Sequence, residues 1–542
     1  MNYFSFKATQ LQVVVPVEST TRTAGALQFP RPGLYPVVIE LSSGGDVLLD
    51  LLTFVHRLPG PDDEPETELP VAVAMSTTSP VVLDDLTDVV LDSATTAELT
   101  QLADLLEAAA VPVAVRIPPA VLSALDAAGP EGAALAARIG AALDGNDLLS
   151  SPSLPLDPST AAAANQQALY TQWLRDGEDQ LARVVAEPSV RTVVFADRPL
   201  SQAGGSLERD LGGRLLVFTA EQYDSLPGTF GAFTDTTQVV NVQVAEGVTV
   251  HATIVDRIVS DSLARAAANP ALAAIYTVTD LLAARQQIVD QGGNPARHGI
   301  TIATPDLALP DTATFAALTT LLSTTDGLSP VTLDTLGVRT SELLDDGEPA
   351  VVQLPEVVDG NIADRVNLMA SLDQEATNTA SMLPPGDARA AEWTRLCGML
   401  PTSALSDDQV TTLADELRTE YAAIRDSVVA PTGFKQYTLT GRRTTVPIKI
   451  LNNSTIPLKV QVRVSSSKIT RQDPQVVVLE PGTYTPVDLR IEARSNGSFP
   501  VTVDIFTPDG GIRLGPPIPI TVKVTAKKTG YKTSKATAKV KK

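Results

Sequence analysis

Asp197 stands directly after an apolar run, RTVVFA (Arg191–Ala196), in this 542-residue chain. An acid at the C-terminal end of a buried strand sits where a (β/α) barrel carries its chemistry. Other acids share the pattern. Asp84 and Asp85 follow PVAVAMS by several residues, Asp157 lies in SLPLDPST, Asp256 ends VTVHATIVD and Asp306 ends GITIATP. Two carboxylates facing each other, roughly 5 Å apart for retention or farther for inversion, cleave a glycosidic bond. Loop acids are also expected by chance in an acid-rich segment, and Asp157–Pro158 and Pro305–Asp306 read equally as turn and cap residues. Arg116 and Arg198, near strand ends, suit an anionic sugar or phosphate, or ion pairs with the surrounding acids.

Other chemistries find less support. The three histidines, His56, His251 and His298, are isolated in sequence, so a deacetylase-type metal site of one Asp and two close His has no local signature. The single cysteine, Cys397, sits in the helical pattern AEWTRLCGML and reads as a buried core residue. No GxSxG elbow and no GxGxxG or GxxxxGK[ST] loop occurs, so neither a serine hydrolase nor a nucleotide-binding site is indicated. The sequence therefore predicts no cofactor and no metal. Tyr170, Trp173, Tyr223, Phe230 and Phe233 are aromatics that can gather at one rim as a sugar platform, although aromatic content is only 4%.

The elements that must position these residues fall into segments. Residues 1–58 read as β and form a partial β-sandwich segment; 59–68 is an acidic linker, PGPDDEPETE. From 69 to 360 apolar strands alternate with amphipathic helices. The strands are PVAVAMS, VPVAVRIPP, DLLSSP, RTVVFA, RLLVFTA, VVNVQV, VTVHATIV and HGITIATP. Short Val/Ile runs with little polar alternation mean strands covered on both faces, hence a parallel sheet and, at seven or eight strands, a (β/α) barrel-like domain. Thr95 or Thr96 is expected to cap the first helix, Gly145 to end another, and Ser159–Glu187 to be one long helix. Residues 361–429 are a helical segment packing on the barrel, with a capping box at Ser406 and Gln409. Residues 430–525 alternate strictly, as in LKVQVRV, between turns such as EPG, SNG and PDGG, and predict an immunoglobulin-like β-sandwich. Residues 526–542 are a basic disordered tail. The fold class is thus multidomain α/β plus all-β.

Charge divides the chain at the same place. Residues 430–542 hold 19 Lys+Arg against 6 Asp+Glu, whereas 1–429 hold 22 against 57, within a net charge of −22. That balance argues against nucleic acid as a partner. The basic C-terminal part can meet an anionic membrane or polymer. No signal peptide and no apolar run of about 18 residues is present.

FPRPGLYPVVIELSSGGDVLLDLLTFVHRLP, RHGITIATPDLALPDTATFAALTTLLSTTDGLSPVTLDTL and TVPIKILNNSTIPLKVQVRVSS, with EARSNGSFPVTVDIFTPDGGIRLGPPIPITVKV, resemble an uncharacterised family of actinobacterial cell-envelope proteins encoded beside the lipid II flippase. The resemblance implies β-sandwich domains around a glycosidase- or deacetylase-like barrel, an exported parent protein with one membrane helix, and an extracytoplasmic location. Here the signal peptide, most of the first sandwich and the membrane helix are missing from that pattern. The leading expectation is a non-catalytic envelope scaffold that binds a glycan or an envelope protein. The second is a glycan-active hydrolase using carboxylates at the barrel mouth, with Asp197, Asp84, Asp256 and Asp306 as candidates. A second acid facing Asp197 in a concave pocket distinguishes the two.

Overall fold

A computed structural model describes residues 14–18, 25–61, 63, 66–84, 88–185, 188–228, 235–264, 269–431, 435–439 and 441–525. The expected basic tail, Asp85, Phe230 and Phe233 lie outside these residues. The chain divides into two units, Met1–Asn361 and Ile362–Lys542.

The first unit opens with a long hairpin, Gly33–Ser43 against Asp46–Arg57, turned by Gly44 and Gly45. Both glycines have positive φ, 66° and 98°, which a two-residue primed turn requires. The acidic linker after it is anchored at its end. Glu66 pairs with His56 at 3.2 Å, and the buried Arg285 donates to the Thr67 carbonyl at 2.8 Å.

The core of this unit is a closed ring of seven parallel strands: β1 (Leu69–Ser76), β2 (Val113–Arg116), β3 (Asp147–Leu148), β4 (Val193–Ala196), β5 (Leu215–Phe218), β6 (Val248–Ile254) and β7 (Ile300–Ile302). Ladders join β7 to β1, β1 to β2, β2 to β3, β4 to β5 and β5 to β6. Single parallel bridges, Leu149 to Val190 and Val255 to Thr301, close the two remaining gaps. Both strand faces are buried, in alternation. Ala72, Ala74, Ala114, Val193, Phe195, Leu215 and Val217 share one apolar cluster, while Ala196, Leu216, Phe218, Ala252 and Ile254 belong to another. This is why the sequence shows continuous Val/Leu runs rather than polar alternation.

Four expectations need correction. VVNVQV is no ring strand: Val240–Ala245 runs antiparallel to β6, because only the two-residue turn Glu246–Gly247 separates them and a parallel return needs a far longer crossover. Ser159–Glu187 is not one helix. It splits into α1 (Pro158–Ala163) and α2 (Gln167–Val184), with Asn165 left-handed at φ 57° between them. Asn tolerates that conformation better than other non-glycine residues, so it breaks the helical pattern without a Gly or Pro signal. The first helix, Ser93–Ala108, is capped by Asp92 rather than Thr95 or Thr96, and the helix before Gly145 ends with Leu143 as its cap.

In the second unit, three helices, Ala363–Ala380, Ala388–Met399 and Asp407–Asp426, group with two β-sheets. Trp393 and Tyr421 meet edge to face at 4.9 Å, and Cys397 is buried with its thiol 3.5 Å from the Tyr421 hydroxyl. Both hydrogen bonds of the Ser406–Gln409 capping box form. A three-stranded sheet contains Arg443–Asn452 and Tyr484–Glu492, and a five-stranded sheet contains Leu458–Ser465, Gly497–Phe506 and Ile518–Val524. Each of these strands alternates buried aliphatics with outward polar or charged residues.

Candidate functional site

At the C-terminal ends of the ring strands lies a cavity of about 410 Å³. Three strand ends are tied together across its floor. Arg116 ends β2 and donates twice to Asp197, which directly follows β4, with N–O distances of 3.0 and 2.5 Å. Its Nε donates to the Ser76 hydroxyl at the end of β1, at 3.1 Å. The guanidinium also lies over the Phe195 ring, 5.4 Å from its centre. A planar, two-toothed donor fits a carboxylate in this way where lysine would not.

Two helices bring further acids to the wall. Asp157 caps α1, accepting from the Thr160 amide at 2.8 Å. α3 (Gln202–Asp210), capped by Ser201, carries Glu208, which is only 7% exposed and accepts a hydrogen bond from the buried Tyr170 hydroxyl of α2. Glycines permit this close assembly. A Cβ at Gly204 would lie 2.5 Å from the Ser159 hydroxyl, and one at Gly177 would lie 2.1 Å from the Ser151 carbonyl oxygen.

The carboxyls are held in different states. Burial would raise Asp197, but the Arg116 hydrogen bonds and charge outweigh it and hold the group below its ordinary range. Burial raises Asp157 despite its bond from Thr160. Burial also pushes Glu208 up to about 7, with the Tyr170 hydrogen bond opposing and the nearby Asp157 charge adding. The Tyr170 hydroxyl is raised by burial and then by Glu208. One cavity thus contains an ionised acid and acids biased to hold a proton, the division of labour that acid–base chemistry uses.

Of the acids singled out from sequence, Asp197, Asp157 and Asp306 line this cavity. Asp306 is exposed there and accepts from the Ala308 amide at 3.2 Å. The following residue, Leu307, is fully buried with φ 61°, a conformation bulky residues rarely adopt. Asp256 is not brought in: it caps the helix Arg257–Ala264, accepting from the Val259 amide at 2.9 Å, because the chain turns directly from strand into helix there. Asp84 lies in the short strand Leu83–Asp84. The histidines each have a different partner: Glu66 for His56, Glu342 for His251 at 3.0 Å and Thr237 for His298 at 2.8 Å. Among the described residues no three His, Cys, Asp or Glu side chains gather to hold a metal. Tyr170 lines the cavity, as does Phe195, while Trp173 and Tyr223 do not. Sequence reasoning passed over Glu208, whose one signal is the Gly204–Gly205 pair one helical turn earlier.

No family model and no curated protein matches the chain. Solved structures to which it is similar include the 4-alpha-glucanotransferase from Thermococcus litoralis, at 9% identity and TM-score 0.42, covering 76% of this chain and 65% of that one. The alpha-amylase AmyC from Thermotoga maritima shows 8% identity and TM-score 0.37, with 66% and 98% covered. An alpha-mannosidase from Enterococcus faecalis V583 shows 10% identity and TM-score 0.38, with 82% and 61% covered. The expectation of a non-catalytic scaffold finds no support in these neighbours, which are a glucanotransferase, an amylase and a mannosidase.

Proposed function

We propose that the first unit is a glycan-active hydrolase working at the mouth of its parallel-strand ring. The observation that carries the reading is the cavity in which Asp197, held below its ordinary range by Arg116, shares a wall with Asp157 and Glu208, both raised by burial. Asp157, half-buried at the cavity wall, is the proton donor in this reading. Asp197 supplies the negative charge that stabilises an oxocarbenium-like transition state. Glu208 and the Tyr170 hydroxyl that donates to it are buried in the same wall, where the Asp157 charge adds to the proton affinity of Glu208. A panel of oligo- and polysaccharides, assayed for release of reducing ends, tests the reading. D157N and D197N are expected to lose activity by about 10²–10⁴. Unchanged rates in both variants, or no release from any glycan by the wild type, overturn it.

The immunoglobulin-like assignment of the two-sheet part belongs to the proposal, supported by its strict alternation and by the parallel pairing of Lys435–Leu439 with Ile518–Val524. So do membership of the actinobacterial envelope family, an extracytoplasmic location and contact of the basic C-terminal part with anionic membrane or polymer. The last rests on 19 Lys+Arg against 6 Asp+Glu over residues 430–542. Co-sedimentation with anionic vesicles at low salt, lost at high salt, is the expected result.

A further inference from the structure

Three arginines line the cavity, and two of them are already engaged. Arg116 is clamped by Asp197, and Arg191 by Glu178. Arg198, adjacent to Asp197 and exposed, makes no hydrogen bond or ion pair among the described residues. Its charge lowers the proton affinity of both Asp197 and Asp157 without hydrogen-bonding to either: both Asp197 oxygens accept from Arg116, and Asp157 accepts from the Thr160 amide. We infer that Arg198 is a specificity residue for a negatively charged substituent, making the substrate an anionic glycan bearing a carboxylate or a phosphate. The inference rests on the hydrolase reading for its site and adds the substrate's charge.

The unit Met1–Asn361 holds 46 Asp+Glu against 17 Lys+Arg, so its surroundings repel anions. In such a unit a neutral sugar needs no free guanidinium beside its binding site. An anionic sugar needs one, aimed into the cavity and not spent on a protein carboxylate. A guanidinium suits either anion, since both accept two parallel hydrogen bonds.

Binding, measured separately from turnover, decides the matter. The full chain, its R198Q variant and its R198K variant are titrated by calorimetry at low salt with two matched pairs: trigalacturonate against its methyl ester, and glucose 6-phosphate against glucose. The wild type is expected to bind the charged member of one pair at least about tenfold more tightly than the neutral one. R198Q should lose that preference, R198K should keep part of it, and all three should melt alike. The pair that responds identifies carboxylate or phosphate. Equal binding of charged and neutral members, or a preference that survives R198Q, overturns the inference and leaves the hydrolase reading standing. Binding of none of the four probes overturns the inference, and glycan hydrolysis without charge preference in the reducing-end assay then shows that the hydrolase reading survives it.

Discussion

The Arg116–Asp197 pair sets the electrostatics of the cavity, and its removal has a calculable cost. Both side chains are about a quarter exposed, at 26% and 23%. Deleting the guanidinium leaves a largely desolvated carboxylate with no partner, so R116M should destabilise the first unit by about 2 kcal/mol. R116K keeps the charge but not the fork and should cost about half as much. Urea unfolding measures both; wild-type midpoints in both variants would contradict the argument. Glu208 makes a second prediction through pH. Its proton is retained in the folded state up to about 7, against an ordinary 4.5. The folded protein therefore binds more protons than the unfolded chain over that window. The associated stability is complete below about 4.5 and is lost as pH rises through about 7, on the order of 3 kcal/mol in all. E208Q should flatten the fall in stability between pH 5 and 8, which unfolding at the two pH values tests. At this scale Asp197 was legible because it follows an apolar run directly. Glu208 was not, because a glutamate in the helical stretch QAGGSLERD looks like any solvated acid until the Gly204–Gly205 face is seen to press against its neighbours.

Helices α1 and α3 meet so closely that a methyl group decides the sign of a substitution. An alanine Cβ at Gly204 would stand 2.5 Å from the Ser159 hydroxyl and 2.9 Å from the Ser159 backbone nitrogen. G204A should therefore destabilise by about 1–3 kcal/mol, despite alanine's better helix propensity. Gly398, in the helix Ala388–Met399, has no atom within 4 Å of the same added carbon, so G398A should instead stabilise by up to about 1 kcal/mol. Thermal melts of the two variants should move in opposite directions. The elements themselves were legible wherever pattern and length agree. The ring strands β2, β4 and β5 fall within the apolar runs read from sequence, and β1 starts one residue before its run. The misreadings came where local chemistry carries no strong signal: Asn165 turning a helix without glycine, and Val240–Ala245 sharing a strand's composition while lying beside the ring. Composition reports burial on both faces, but it does not report direction.

Charge is the property that most separates the two units. Met1–Asn361 holds 46 acids against 17 bases, while Ile362–Lys542 holds 17 against 24. The core of the first unit is aliphatic, built from Val, Leu and Ala, so its cohesion is nearly independent of ionic strength, whereas the mutual repulsion of its surface acids is not. Screening lengths fall from about 30 Å at 0.01 M salt to about 3 Å at 1 M, which spans the spacing of surface charges on a unit this size. Raising sodium chloride from about 10 mM to about 500 mM should therefore stabilise the first unit clearly and the nearly balanced second unit little. Two calorimetric transitions are expected, since each unit has its own buried core, and only one should climb with salt. Assigning that transition is direct, because the cavity variant R116M lowers the first unit's transition and G398A raises the second's. If the salt-sensitive transition were the one that G398A moves, the stability of the acidic unit would be governed by its specific ion pairs, such as Arg116–Asp197 and Arg191–Glu178, rather than by its net charge.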